Sequence, residues 1–184
     1  MMPRLIYLIG PPASGKTALM RRLTEPYERV TITGTPLGHG VSHDVLVDPG
    51  SGDPVAAEIG IQRGEFSGTD PLASAIIDKA DPWVRTQPYT VLLGEGARLT
   101  LPRFFDAALD GGYAVVLVHL NHADAETWRE ARGRNESGLY VENRRYAAAK
   151  LAKELDARGG PVSVVEGHPD ELFEPLRELT VSDW

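Results

Sequence analysis

The chain has 184 residues, 42% of them apolar and 24% charged, with a formal net charge of −7 and no cysteine. That length suits one α/β domain with a buried core. The composition excludes disulfides, thiolate zinc sites and cysteine nucleophiles, no apolar run approaches the ~20 residues of a membrane span, and the acidic balance gives no general reason to expect nucleic-acid or membrane binding.

Met1-Met2-Pro3-Arg4 leads straight into Leu5-Ile6-Tyr7-Leu8-Ile9, without the long apolar core of a signal peptide, so a cytoplasmic location is expected. The five apolar residues have the length and continuity of a strand buried on both faces. A helix follows from about Gly15 and stops near Pro26. Residues 43–60 read as an inserted hairpin, His43 to Val47 and Val55 to Ile59 flanking a turn rich in Asp, Pro and Gly. Asp70-Pro71 has the form of a helix start, aspartate at the N-cap and proline at the first position. Val91-Leu92-Leu93 is a second core strand, running into Gly94-Glu95-Gly96. The next helix is capped by Thr100, buries Leu101, Phe104, Phe105, Ala108 and Leu109 on one face, and ends at Gly111-Gly112. Residues 114–118 form a third core strand, 124–132 and 140–158 are helical, Val162 to Val165 is a last strand, and Pro169 opens a final helix with Leu172, Phe173, Leu176 and Leu179 facing inward. No repeat or linker divides the chain, so one domain over 1–184 is expected. Alternating strands and helices imply a mostly parallel sheet covered on both faces, with ligands at the carboxyl ends of its strands.

The turn after the first strand, Gly10-Pro11-Pro12-Ala13-Ser14-Gly15-Lys16-Thr17, matches G-x-x-x-x-G-K-[ST] at every fixed position and lies between a strand and a helix. Its glycines let backbone N–H groups converge on phosphate oxygens, and the helix N-terminus adds partial positive charge. Lys16 can reach β- and γ-phosphates and the Thr17 hydroxyl can hold Mg²⁺. Glu95 stands at a strand end, beside this loop, where a carboxylate holds metal-bound water or activates an acceptor hydroxyl. Its other reading is a turn cap.

Other candidates stay open between function and structure. Asp70 is either an ordinary N-cap or a substrate or base residue at the end of the glycine-bearing loop Ser67-Gly68-Thr69. Arg63 is either solvated or a ligand clamp. Residues 127–153 carry seven basic side chains against three acidic ones, an island of +4 on an acidic chain. Within it Arg129 and Arg132 share a helix face, with Arg134 just beyond. Such arginines either neutralise a transferring phosphoryl group or coat a solvated helix. Arg144 and Arg145 face either ligand or water, and Trp128 reads as a hinge or packing residue.

Beyond the phosphate loop, the whole chain resembles small P-loop kinases of the nucleoside and nucleotide kinase type. The resemblance implies a P-loop NTPase fold with a five-stranded, mostly parallel sheet, an acid after the third strand, an arginine-rich lid at about 121–139, and ATP with Mg²⁺, the metal held by Thr17 and by Glu95 directly or through water. Arg98 resembles the arginine that follows the acid in thymidylate and deoxynucleoside kinases, although two residues intervene here. Gly167-His168-Pro169 resembles the adenine-side loop, which makes His168 an ATP-contact candidate. More narrowly, Arg63-Gly64-Glu65-Phe66-Ser67-Gly68-Thr69-Asp70, Gly94-Glu95-Gly96-Ala97-Arg98-Leu99 and the Arg129–Arg134 segment resemble bacteriophage kinases that phosphorylate 5-hydroxymethyluracil in DNA. That likeness implies Lys16, Glu95, Asp70, Arg129 and Arg132 in catalysis. It also implies Arg63, Phe66, Thr69, Asp70, Arg98 and Arg134 around a nucleotide or modified-DNA substrate, in the host cytoplasm. The alternatives are a free deoxynucleoside monophosphate or nucleoside kinase and, in another class, a nucleotide switch or partner-coupled NTPase. The guanine-reading Asn-Lys-x-Asp motif of a GTPase switch is absent from the sequence.

Overall fold

The structure, a computed structural model, describes residues 2–34, 40–61, 68–133 and 136–181. In chain order it has β1 (Arg4–Ile9), α1 (Lys16–Thr24), β2 (Glu28–Ile32), β3 (His43–Val47), β4 (Pro54–Ile59), α2 (Ile77–Val84), β5 (Val91–Glu95), α3 (Pro102–Asp110), β6 (Ala114–His119), α4 (Asp124–Ala131), α5 (Gly138–Asp156), β7 (Val162–Glu166) and α6 (Pro169–Val181). They build a mixed α/β fold around one sheet ordered β2-β3-β4-β5-β1-β6-β7. Among the described residues no helix is long and apolar enough to cross a membrane.

The apolar run of β1 explains the layering. Alternate side chains of a strand leave opposite faces of the sheet. Leu5, Tyr7 and Ile9 join Phe104, Phe105 and Ala108 of α3, Ala80 and Trp83 of α2, and Leu151 and Leu155 of α5. Ile6 and Leu8 join Leu19, Met20 and Leu23 of α1 and Leu176 of α6. Each fully buried Leu, Ile or Phe contributes about 1.5–3 kcal/mol. A strand apolar at every position therefore belongs at the centre, and β1 pairs in parallel with β5 on one side and β6 on the other.

Five strands, β4-β5-β1-β6-β7, run parallel, as the resemblance implied. The hairpin is not an insertion, however. Its second strand, β4, is itself a parallel strand beside β5, with Ala57 opposite Leu92. Its first strand, β3, and the unanticipated β2 extend the sheet antiparallel to seven strands. β2 is mostly exposed, so apolar alternation does not announce it. Polar contacts anchor it: Arg29 pairs with Asp44 at 3.0 Å and Glu58 at 2.6 Å and bonds to Thr24. Thr31 donates to Asp44 at 2.7 Å.

Two expected caps are corrected. Asp70 does not start a helix: turns follow it and α2 begins only at Ile77. Its carboxylate instead accepts the N–H of Ala97 at 2.7 Å, across the loop after β5. Thr100 does not cap α3. Its hydroxyl donates back to the Ala97 carbonyl at 2.8 Å, and Leu101 is the N-cap, ahead of Pro102 at the helix start. Leu101 is accordingly exposed, whereas Phe104, Phe105, Ala107 and Ala108 are buried.

Candidate functional site

The glycine-rich loop joins β1 to α1 at the carboxyl edge of the sheet. Gly15 is its N-cap with φ +92°, a left-handed conformation that costs glycine nothing and a side-chain-bearing residue dearly. A Cβ there would lie 3.1 Å from Pro169 and 3.2 Å from the Trp128 ring, so the loop also needs glycine for its close packing. Ala13 takes a positive φ of 63° within the same turn. Lys16 folds its ammonium over the loop, donating to the carbonyls of Pro11 at 2.8 Å and Gly10 at 3.1 Å. Burial lowers the Lys16 pKa; Glu95 and Asp70 oppose the shift, and Arg144 and Arg132 reinforce it.

Glu95, the last residue of β5, is 2% exposed, and its Oε2 accepts the Thr17 hydroxyl at 3.1 Å. The proximity anticipated between the phosphate loop and this acid is therefore a direct contact. The turn behind Glu95 is clamped from below. Thr69 donates its N–H (2.9 Å) and hydroxyl (2.8 Å) to the Glu95 carbonyl. The Tyr7 hydroxyl lies 3.1 Å from both the Thr69 hydroxyl and the Gly96 carbonyl. Burial drives the Tyr7 pKa far up, so it stays a neutral hydrogen-bonding group. Gly96 has φ +98°, and a Cβ on it would come within 2.8 Å of Asp70 Oδ1 and Thr69 Oγ1. This close approach brings Asp70 beside Glu95.

These elements line a cleft of about 450 Å³. Its floor is the phosphate loop, through Gly10, Pro12, Ala13, Lys16 and Thr17. Asp70, Glu95 and Arg98 form one wall, and Arg129, Arg132, Tyr140 and Arg144 the other. Arg98 is steered there by its Nε, 3.4 Å from the Asp70 carbonyl. Arg129 pairs with Glu126 one turn earlier, which raises the arginine's pKa and lowers the acid's. Thr69 is fully buried, so it holds the turn rather than touching the cleft. Pro11, Ser14 and Gly15 shape the loop without lining the cleft. Arg63, Phe66 and Arg134 lie outside the described residues. His168 sits on the far side of the loop with His122 and Trp128, the three rings 4.6–5.3 Å apart.

The sequence reading missed Tyr7 and Tyr140 and left Arg144 open, and each has a recoverable signal. Tyr7 is the one hydroxyl in an otherwise aliphatic buried strand, and a buried tyrosine needs a polar partner. On α5, Tyr140, Arg144, Ala147 and Ala148 recur at i, i+4, i+7 and i+8 and face the cleft. The Arg144 guanidinium stands 5.3 Å from the Tyr140 ring centroid, a cation–π contact, and its Nε donates to the Tyr140 hydroxyl at 3.3 Å.

Chemically, the cleft pairs a phosphate cradle and five cationic side chains with three acids, Asp70, Glu95 and Glu136. Thr17 and Glu95 supply hard oxygen donors side by side, the type Mg²⁺ takes. The residues present therefore fit a magnesium-bound triphosphate. The family model described as P-loop Nucleotide Kinase3 matches residues 1–181. Comparison with curated proteins gives no match.

Proposed function

The chain belongs to the P-loop nucleotide kinase3 family, and from that premise we propose that it transfers the γ-phosphoryl group of ATP to a hydroxymethyl group on a pyrimidine in DNA. The observation that carries the phosphotransfer is the Thr17–Glu95 contact at 3.1 Å inside a complete phosphate loop. The acceptor rests on the likeness of the Arg63–Asp70 and Gly94–Leu99 segments to the phage DNA kinases. The basic island adds support, because its Arg129, Arg132 and Arg144 line the cleft.

The residues divide the work. Backbone N–H groups of the loop and Lys16 hold the triphosphate. Thr17 and Glu95, directly or through water, would hold magnesium, whose charge would offset that developing on the phosphoryl group. Asp70, exposed at the cleft wall, keeps one oxygen on the Ala97 N–H. Its second oxygen is the acceptor-side candidate to orient the hydroxyl and take its proton. Arg129, Arg132 and Arg144 neutralise charge from the opposite wall. His168 marks the base end of the nucleotide. Such a reaction needs positioning and charge neutralisation more than covalent chemistry. A target base in a duplex has to be flipped out, at a few kcal/mol.

The test is labelled phosphate transfer from ATP to hydroxymethyluracil-containing DNA, to unmodified DNA and to free deoxynucleoside monophosphates. Transfer only to the modified DNA is expected, weakening with salt on a shallow slope because few phosphates are contacted. Efficient phosphorylation of a free monophosphate with none on modified DNA would reject the DNA acceptor and establish the free-nucleotide alternative. Nucleotide hydrolysis that appears only with a protein partner would reject both.

A further inference from the structure

Tyr140 is the one aromatic side chain among the described residues that line the cleft, and 44% of it is exposed. It stands in the first turn of α5, where the Ser137 hydroxyl caps the helix by accepting the Tyr140 N–H at 3.2 Å. Arg144, one turn further on, holds one side of the ring through its cation–π contact and its bond to the hydroxyl. The residue is thus fixed at its backbone and at its tip, and ring surface stays open. Glu136 lines the same cleft just ahead of this helix. Its Oε2 is buried and has no hydrogen-bond partner among the described residues. Resting on the acceptor reading above, we propose that Tyr140 and Glu136 form the acceptor-base subsite: the ring carries the face of the pyrimidine, and Glu136 Oε2 accepts the N3–H at its edge.

Position favours the acceptor over ATP as the occupant. The ring cluster of His168 lies on the far side of the phosphate loop, outside the cleft. Tyr140 instead stands across the cleft from Asp70 and Arg98. Arg144 is close enough to Lys16 for its charge to help depress the lysine's pKa. The wall that carries Tyr140 is therefore beside the phosphoryl end of the nucleotide, where an acceptor has to sit.

The chemistry points the same way. A buried acceptor left bare is costly, so Glu136 Oε2 calls for a donor. Arg129 feels the charge of Glu136, yet it gives this oxygen no hydrogen bond. The oxygens of an ionised phosphate only accept, so a triphosphate cannot satisfy it either. A uracil-type base offers one N–H on its pairing edge and a flat face to the ring. Bases taken out of the stack are read by such edge bonds and by stacking on aromatic side chains. The arginines of the cleft hold any phosphate, whereas Tyr140 and Glu136 respond to the base alone.

The experiment measures equilibrium binding to the full chain by fluorescence anisotropy, with Mg²⁺ and a non-hydrolysable ATP analogue present. The probe is a short labelled single strand with hydroxymethyluracil at its centre, compared with the same strand abasic at that position. The ratio of the two affinities cancels what a variant does to phosphate contacts. Wild type should favour the base-bearing strand by about tenfold or more. Tyr140→Leu and Glu136→Ala should each remove most of that preference. Tyr140→Phe keeps the ring and loses only the bond to Arg144, so it should retain the preference. Melting curves check that each variant folds, and if Tyr140→Leu does not, Tyr140→Phe and Glu136→Ala decide the matter. If neither strand binds, the DNA acceptor fails and the subsite is judged separately. The same variants are then titrated by calorimetry with hydroxymethyldeoxyuridine monophosphate against deoxyribose 5-phosphate. Full preference in a folded Tyr140→Leu or Glu136→Ala protein, its loss in Tyr140→Phe, or no preference by wild type within either pair of probes would overturn the subsite.

Discussion

Glu95→Gln separates the fold of this site from its chemistry. The replacement keeps the volume of a side chain that is 2% exposed. It also keeps an oxygen that can accept the Thr17 hydroxyl, now 3.1 Å from the carboxylate. The charge is what it removes. On the stability side, a charge-assisted bond becomes a neutral one, a loss of about 1 kcal/mol, while a buried charge no longer needs desolvating. The two effects oppose, so the melting temperature should move by no more than about 4 °C. On the chemical side, a positioned carboxylate is worth about 10²–10⁴ in rate, or roughly 3–5 kcal/mol of barrier. The assay is steady-state phosphate transfer at saturating ATP with the Mg²⁺ concentration varied, alongside a thermal melt. A loss of two or more decades in turnover with an unchanged melt is expected. The metal requirement should also rise, because the ligand set at Thr17 loses its anion. A folded Glu95→Gln protein turning over within a few-fold of wild type would refute the role given to this acid. Glu95→Ala is the less informative change, because it leaves the Thr17 hydroxyl without this acceptor and opens a cavity, confounding rate with stability.

Three further outcomes follow from the same contacts. Lys16→Met should abolish transfer, by about 10²–10³ or more, yet melt no lower than wild type at neutral pH. Burial holds the Lys16 pKa below the ordinary 10.5, so the native protein loses this proton before the unfolded chain does. Wild-type stability should therefore rise with pH through that window, and the methionine variant should lack the rise; a variant melting several degrees lower would refute this. Asp70→Asn retains the oxygen that accepts from Ala97, so its melt should match wild type while turnover falls by about 10² or more; unchanged turnover would return Asp70 to a purely structural part. Arg29→Met removes the cation paired with the buried carboxylates of Asp44 and Glu58 and should cost about 3–5 kcal/mol by denaturant unfolding. Burial already raises the Glu58 pKa against the pull of Arg29, so this variant should recover stability as pH falls and Glu58 is protonated.

What could be read from the sequence, and what could not, divides along physical lines. β1, α1, β5, β6 and α5 carry their burial in their own patterning, so their places follow from residues near in sequence. The phosphate loop is likewise local: its glycines, Lys16 and Thr17 are consecutive, and the geometry they need is made by that stretch alone. β2 escaped because Arg29 is satisfied by Asp44 and Glu58, which are distant in the chain and opposite in charge. Asp70 was misplaced for a related reason. Asp-Pro is a sound local cap, but the nearest unsatisfied donor in space is the Ala97 N–H, delivered by another loop. Local rules lost in both cases to a polar partner supplied by the tertiary structure.

The same reasoning explains why the acid, rather than the loop, is the informative part of the cleft. A phosphate loop needs only its own backbone, and by itself it speaks for nucleotide binding. Glu95 needs much more around it. Tyr7 must reach from β1, Thr69 must lie beneath the turn, and Gly96 must take a conformation that admits Asp70. Each of those features constrains packing, and together they set the Glu95 and Asp70 carboxylates in a cleft that five cationic side chains and Glu136 also line. Nucleotide binding alone accounts for one of these acids, since a carboxylate that holds magnesium serves any bound triphosphate. The second acid has a use only in the proposed reaction, with Glu95 on the metal side and Asp70 toward the acceptor hydroxyl. The pairing of Asp70 with Glu95, rather than Glu95 alone, is thus what favours the proposed transfer to an acceptor over simple occupancy by nucleotide.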